Sequence, residues 1–141
     1  GADAILLMAN VLNAEKLDSF HSLARELGME CLFEVHTLDE ISTLPPKARV
    51  VGINSRKFKS QTGFAGLDGS SEKDFSLEMS AFELVNHLPQ GSIRIAESGI
   101  SPANLATVAK RFDAALVGTS LLRDPRGIRE CLTDFESAIA R

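Results

Sequence analysis

The fold is most clearly indicated by the stretch Ile93-Arg94-Ile95-Ala96-Glu97-Ser98-Gly99-Ile100-Ser101-Pro102. Its first four residues are a short, mainly apolar run of strand length, and a polar turn follows at once. Ser101 is a favourable helix cap, and Pro102 stands at the first helical position, where its missing N–H costs nothing. A strand that leads directly into a helix is one β/α unit.

Four more apolar runs of strand length occur along the chain, at Ala4–Met8, Cys31–Val35, Arg49–Ile53 and Ala114–Val117. They lack polar/apolar alternation, which is typical of strands that are covered on both faces of a parallel sheet. Segments with helical periodicity separate them. The order strand–helix, five times over, predicts parallel strands joined by right-handed crossovers, either in a (β/α)₈ barrel or in an open doubly wound sheet.

Helix faces and ends can also be predicted. Asn13 caps the first helix and Gly28 follows its end, whereas the last helix opens at Asp124-Pro125. A third helix is predicted over Leu77–Leu88, with Ser76 as its cap. The apolar stripes expected to face the sheet are Leu17, Phe20, Leu23, Ala24 and Leu27 in the first helix, and Ile128, Leu132, Phe135 and Ile139 in the last.

The composition describes one globular domain over residues 1–141, with 44% hydrophobic and 24% charged residues. A net charge of −4 without a basic block argues against nucleic acid as a partner. The longest apolar run, Ala4–Ala9, is too short to span a membrane. Cys31 and Cys131 are predicted to pack as small apolar residues in a reducing cytoplasm. Residues 58–75, rich in Gly and Ser, are predicted to form a long flexible loop inside the domain.

Polar side chains follow four successive predicted strands, where parallel α/β folds place their chemistry. Each has a structural alternative as a cap, a turn or a solvated surface residue, and His36 is predicted to be structural. Two carboxylates, Glu34 and Glu97, follow apolar runs and suit acid/base chemistry. The full set of strand-end candidates is Glu34, Asn54, Arg56, Glu97, Ser98, Gly99, Gly118 and Thr119.

Small residues after the last two strands, together with a short helix predicted near Thr119, favour an anion site for a phosphorylated small molecule. No metal is expected, because His21, His36 and His87 have no metal-ligand spacing with Cys or acidic residues. No dinucleotide or nucleotide motif occurs either, so the sequence predicts no cofactor.

Five segments, in this order, resemble the indole-3-glycerol-phosphate synthase family: Gly1–Leu7, Glu34-Val35-His36, Gly52–Arg56, Glu97–Ile100 and Leu116–Leu121. The resemblance implies strands four to eight of a (β/α)₈ TIM barrel, so the chain is expected to be a partial barrel of about five β/α units. Gly1, which leads almost at once into a strand, looks like a cut edge, as in a fragment of a longer protein.

The resemblance also implies a function. The family closes the indole ring of tryptophan biosynthesis and removes carbon dioxide and water from 1-(2-carboxyphenylamino)-1-deoxyribulose 5-phosphate, without metal or cofactor. Glu34, Asn54 and Glu97 would be catalytic, and Arg56 and Ser98 would bind the substrate. Ser98, Gly99, Gly118 and Thr119 would hold its phosphate.

Two departures from the family qualify these expectations. The stretch after Arg56 is longer and richer in glycine than in the family, and the family's amino-terminal Glu-x-Lys pair and further catalytic Lys are absent. The isolated chain is therefore predicted to be inactive and to self-associate through its open barrel edges. Two alternatives stay open: another phosphate-binding barrel, such as phosphoribosylanthranilate isomerase or the tryptophan synthase α subunit, and a non-catalytic phosphate-binding half-barrel.

Overall fold

A computed structural model describes residues 1–56 and 79–140 of the chain. Five parallel strands form one sheet, and their order in the sheet is their order along the chain. Because this order never reverses, the sheet has the topology of a barrel and not that of a doubly wound fold. The predicted partial barrel is confirmed. The strands are β1 (Ala4–Met8), β2 (Glu30–Val35), β3 (Val50–Asn54), β4 (Ile93–Glu97) and β5 (Ala114–Leu116).

Helical segments connect the strands as predicted. One of them differs in type, because the segment predicted as a helix over 77–88 is a 3₁₀ helix at Met79–His87. The predicted cap Ser76, the loop 58–75 and Lys57, Lys59 and Lys73 lie outside the described residues. The α-helices are α1 (Ala14–Glu26), α2 (Leu38–Ser42), α3 (Pro102–Val108), α4 (Thr119–Leu122) and α5 (Ile128–Ile139).

Most helix ends follow the local signals. The Asn13 side chain accepts a hydrogen bond from the Lys16 N–H at 3.0 Å, and Gly28 takes a positive φ of 75° after α1. Pro102 opens α3 after Ser101, as predicted. The start predicted for α5 is wrong: the Asp124 side chain accepts the Arg126 N–H and closes a turn, so the helix begins only at Ile128.

The predicted helix faces are only partly correct. In α1, Leu17 and Ala24 are buried, but Phe20, Leu23 and Leu27 are exposed, and His21 is buried in their place, in a T-shaped contact with the Phe33 ring. In α5, Phe135 is buried with Cys131, whereas Ile128, Leu132 and Ile139 are exposed. Helical periodicity predicts how wide the apolar stripe of a helix is. Packing on the sheet fixes the rotation of the helix about its axis, and this rotation determines which residues of the stripe are buried.

The two faces of the sheet have different roles. The side chains packed under the helices form the core, and both cysteines belong to it as predicted. Because side chains alternate along a strand, the opposite face carries Glu34, Gly52, Asn54 and Glu97. The register sets Glu34 beside Gly52 and Asn54 beside Glu97, so these residues lie together at the carboxyl end of the sheet.

The outer strands are open edges. Among the described residues, β1 pairs only with β2 and β5 only with β4. On the face opposite the helices, Leu6 of β1 is 48% exposed and Leu116 of β5 is 55% exposed. None of the helices in residues 1–56 and 79–140 has the length and apolar character to cross a bilayer.

Candidate active site

A cavity of about 450 Å³ opens at the carboxyl end of the sheet. The structure brings all eight sequence-predicted site residues to its wall, although they come from four different strand ends. Parallel strands end at the same edge, which explains why residues up to 85 positions apart in the chain meet there. The wall consists of Glu34, Asn54, Arg56, Glu97, Ser98, Gly99, Gly118 and Thr119, with Ile100, Leu116, Val117 and Ser120.

The two carboxyl groups are the most unusual feature of this wall. Glu34 is only 4% exposed and Glu97 only 2% exposed, although both border the cavity. No N–H or hydroxyl group among the described residues donates a hydrogen bond to Oε1 of either side chain. Burial of a charged carboxylate without donors is costly, so the pair favours a state in which a proton is retained.

That proton belongs mainly to Glu97. Burial raises its pKa, a hydrogen bond to Glu34 raises it further, and repulsion from the Glu34 charge adds to both, so the pKa of Glu97 lies at about 8. Near neutral pH one wall of the cavity therefore presents a protonated carboxyl group beside a second carboxyl group. This is an arrangement that can both donate and accept a proton.

Gly52 makes the close approach of these groups possible. It is the neighbour of Glu34 in the sheet, and the Glu97 side chain lies directly over it. A Cβ atom at position 52 would overlap Oε1 of Glu97 and would lie 2.7 Å from its Cδ atom. Sequence reasoning did not single out this glycine, although a glycine inside a strand is a known signal of close approach by another group.

The Gly52→Ala variant is expected to lose about 1–3 kcal/mol of unfolding free energy, because the new methyl group displaces the Glu97 carboxyl group from its place on the sheet. Urea unfolding measures the loss. In a Glu97→Ala background the same substitution should be nearly neutral, because the side chain in conflict with the methyl group is then gone. An equal loss in both backgrounds would contradict this account of Gly52.

The end of β3 is fixed by a local turn. The Oδ1 atom of Asn54 accepts a hydrogen bond from the Arg56 backbone N–H at 3.0 Å. This bond fixes the orientation of the side-chain amide, whose NH₂ group is then the donor on its other side. Arg56 borders the same cavity and is the one cationic residue among the described residues of its wall.

The turn after β4 has a strained backbone. Ser98 has a positive φ of 64° without being glycine, and Gly99 follows with 67°. Three side chains hold the carbonyl groups of this turn. Ser55 donates to Ser98 O at 3.1 Å, Asn104 donates to Gly99 O at 2.8 Å, and Ser120 donates to Ile100 O at 2.5 Å.

Sequence reasoning missed Ser55 and Asn104 as supports of this turn. Ser55 is almost fully buried, and its backbone N–H also donates to Glu97 O at 3.0 Å. A serine directly after the apolar run of β3 was a usable signal, but its partner lies 43 residues away. No sequence spacing indicates such a contact.

The wall is completed by the segment after β5. Gly118 caps the short helix α4, which begins at Thr119 as predicted, and both residues line the same cavity as the turn at Ser98. The described lysines, Lys16, Lys47 and Lys110, do not line the cavity. The described residues contain no group of three His, Cys, Asp or Glu side chains that could hold a metal ion.

Comparison with known proteins agrees with the resemblance found in the sequence. The model of the family described as indole-3-glycerol phosphate synthase matches residues 1–130. The chain belongs to this family. Phosphoribosylanthranilate isomerase and the tryptophan synthase α subunit are therefore no longer alternatives.

Curated members of the family are similar over most of the chain. An indole-3-glycerol phosphate synthase from Leptospira interrogans is 40% identical over 121 residues, which is 84% of this chain and 43% of that protein. One from Bacteroides thetaiotaomicron is 34% identical and covers 99% of this chain and 49% of its own length. The chain thus spans a little under half the length of these curated relatives.

Solved structures with lower identity support the fold alone. A 3-hexulose-6-phosphate synthase from Salmonella typhimurium superposes with a TM-score of 0.70 at 13% identity, covering 99% of this chain and 63% of that structure. A thiamine phosphate pyrophosphorylase from Pyrococcus furiosus gives 0.65 at 15% identity, with 99% and 60% coverage.

Proposed function

We propose that this chain supplies the carboxyl-terminal part of the active site of an indole-3-glycerol phosphate synthase. The observation that carries the proposal is the buried pair of Glu34 and Glu97 at a cavity that also has Arg56 and the Ser98-Gly99 turn in its wall. The substrate is 1-(2-carboxyphenylamino)-1-deoxyribulose 5-phosphate, and the reaction is ring closure with loss of carbon dioxide and water.

The chemistry requires groups that donate and accept protons. Loss of water needs a proton on the departing hydroxyl group and a base that removes a proton from the ring as it becomes aromatic. The raised pKa of Glu97 keeps this side chain protonated and suits it as the proton donor, and Glu34 is the proton acceptor. The NH₂ group of Asn54 hydrogen-bonds the intermediate between them.

The remaining wall recognises the anionic ends of the substrate. The guanidinium of Arg56 pairs with the carboxylate or the phosphate of the substrate. Because a peptide unit is planar and trans, holding the Ser98 and Gly99 carbonyl groups toward Ser55 and Asn104 turns the N–H groups of Gly99 and Ile100 the opposite way. These N–H groups, with Ser98, Gly118 and Thr119, form the phosphate site.

Turnover requires the part of the family barrel that this chain does not span. We test this by mixing the chain with the amino-terminal half of the Leptospira interrogans relative and following product formation through indole fluorescence. We expect turnover in the mixture and none from either half alone. Absence of turnover in the mixture, with normal binding of the substrate by calorimetry, would favour a non-catalytic phosphate-binding half-barrel.

That second function has one observation in its favour, which is that no described lysine lines the cavity. It shares the partner of the first, a small phosphorylated molecule. With a net charge of −4, we propose neither nucleic acid nor a membrane surface as a partner. Binding of the substrate by the chain would fit both functions, whereas turnover in the mixture fits only the enzyme.

We also propose that the isolated chain self-associates through its open sheet. The exposed Leu6 and Leu116 lie on the two edge strands, where backbone groups can pair with a second copy. Size-exclusion chromatography at micromolar concentration should give a species larger than the 15.2 kDa monomer.

A double Leu6→Glu and Leu116→Glu variant should shift that species toward the monomer. Leu27→Glu is the matched control, because Leu27 is also exposed, at 65%, but lies just after α1 and away from the edge strands, so this substitution should leave the elution unchanged. A sharp monomer peak for the unmodified chain would contradict this proposal.

A further inference from the structure

Two titratable side chains lie next to the site without lining its cavity: His36 contacts Glu34, and Glu40 contacts His36. The Nε2 atom of His36 lies 3.4 Å from Oε1 of Glu34, and its Nδ1 atom lies 3.5 Å from Oε2 of Glu40. The imidazole ring therefore stands between two carboxyl groups. A small rotation of the ring shortens these distances to those of hydrogen bonds, as happens in many sites when a ligand binds.

Glu40 is fixed by the start of helix α2. Thr37 caps this helix and accepts the Glu40 N–H at 3.3 Å, while Oε2 of Glu40 accepts the His36 backbone N–H at 2.6 Å. Partial burial by itself would raise the pKa of Glu40, but hydrogen bonds from His36 outweigh it and the pKa is lowered. Glu40 is thus a carboxylate held in place beside the ring.

A fixed carboxylate determines which nitrogen of the ring carries hydrogen. Both flanking carboxylates can only accept, but Glu34 is already hydrogen-bonded to the protonated Glu97, so Glu40 is the stronger acceptor and favours the hydrogen on Nδ1. In the neutral ring Nε2 then carries a lone pair, and this lone pair faces Glu34. The side chains of Glu34, His36 and Glu40 are 5%, 12% and 17% exposed, so the three groups are largely shielded from water.

We propose that Glu40 and His36 act as a proton-holding pair for Glu34, with His36 as a positioning residue that accepts, and later returns, the proton that the Glu34 carboxylate has taken from the substrate. In this step the O–H bond at Oε1 of Glu34 breaks and an N–H bond forms at Nε2 of His36. Glu34 becomes a carboxylate, and the imidazolium is stabilised by Glu34 on one side and Glu40 on the other. The reverse step restores the proton to Glu34.

This inference rests on the proposed function for its purpose, because Glu34 must be a carboxylate to accept a proton from the substrate. Glu97 faces Glu34 from β4, and burial is the main cause that keeps Glu97 protonated. Transfer of the substrate-derived proton to His36 therefore returns Glu34 to the carboxylate form while Glu97 stays protonated. The wall then holds an acid and a base at the same time.

Nuclear magnetic resonance of the full chain with ¹⁵N-labelled histidine tests the arrangement without any ligand. At about pH 8, where ordinary histidine is neutral, we expect hydrogen on Nδ1 of His36 and a lone pair on Nε2. In Glu40→Leu the ratio of the Nδ1–H form to the Nε2–H form should fall at least about tenfold, because a hydrogen bond to a charged group is lost.

Thr37→Val is the matched control. It removes the other side-chain bond of the same helix cap, and it should weaken α2 without changing the ratio of the two forms. A bare Nδ1 in the unmodified chain, or an unchanged ratio in Glu40→Leu, would overturn the proposal. If Glu40→Leu does not fold, the position of the hydrogen on the His36 ring in the unmodified chain is the test of the proposal.

The outcome is separate from that of the proposed function. Absence of turnover in the two-half mixture would leave the spectrum of His36 unchanged. Where turnover is present, Glu40→Leu should lower kcat with little change in KM, because neither His36 nor Glu40 lines the cavity.

Discussion

Replacing Glu34 with Gln lowers turnover by at least about 10²-fold in the mixture of this chain with the amino-terminal half of a relative. Gln keeps the size of the side chain and its hydrogen-bonding capacity, but it cannot accept a proton from the substrate. The fold should persist, because the core lies on the other face of the sheet. Indole fluorescence gives the rate, and circular dichroism checks the fold.

The matched control for Glu34 is Glu30→Gln on the same strand. Glu30 lies at the other end of β2 and pairs with the exposed Arg49 at 3.6 Å, away from the cavity. The turnover of the Glu30→Gln variant should equal that of the unmodified chain. Normal turnover in Glu34→Gln would remove Glu34 from the mechanism, whereas equal losses in both variants would indicate a general effect on the strand.

The same variant has a second readout that needs no activity. Without the Glu34 charge, the pKa of Glu97 should fall from about 8, but it should stay above the ordinary value because burial is its largest cause. Carboxyl carbon resonances of labelled glutamate follow this titration. An unchanged pKa would show that Glu34 does not contribute to it.

Stability is expected to fall as the pH rises from about 5 to about 8, and Glu97→Gln should remove most of this dependence. The pKa of Glu97 is raised from 4.5 in the unfolded chain to about 8 in the folded protein. Between these values the folded state holds a proton that the unfolded state has lost. The stabilisation is therefore complete below the unfolded pKa and disappears as the pH rises through the folded one.

The size of the effect follows from the shift. The slope has an upper limit of about 1.4 kcal/mol per pH unit, and Glu97→Gln should be more stable than the unmodified chain by roughly 2 kcal/mol at pH 8. Gln resembles the protonated side chain and carries no charge to bury. Asp124 does not contribute to the dependence, because hydrogen bonds from Arg126 lower its pKa to about 2, outside this pH range.

Urea unfolding at several pH values measures the dependence. Glu136→Gln is the control, since Glu136 is exposed on α5 and should leave the profile unchanged. A flat profile for the unmodified chain over this range would contradict the buried, protonated state of Glu97.

The sequence was sufficient for the order of the elements. Each strand was predicted to within a residue or two, because the sheet is covered by helices and its apolar runs are continuous, as in β1 and β4. The place of the site followed from the same topology, since parallel strands bring Glu34, Asn54 and Glu97 to one edge.

Features that depend on a neighbour distant in sequence became visible only in the folded protein. The burial of His21 depends on the rotation of α1 against Phe33, and the support of the Ser98 turn depends on Ser55 of another strand. The role of Gly52 arises from the side chain of Glu97 on the next strand. The raised pKa of Glu97 has a similar origin, because desolvation and the charge of Glu34 act only once the strands are paired. Local sequence patterns encode backbone conformation. Contacts between side chains across the sheet exist only after folding, so the spacing of residues in the sequence does not predict them.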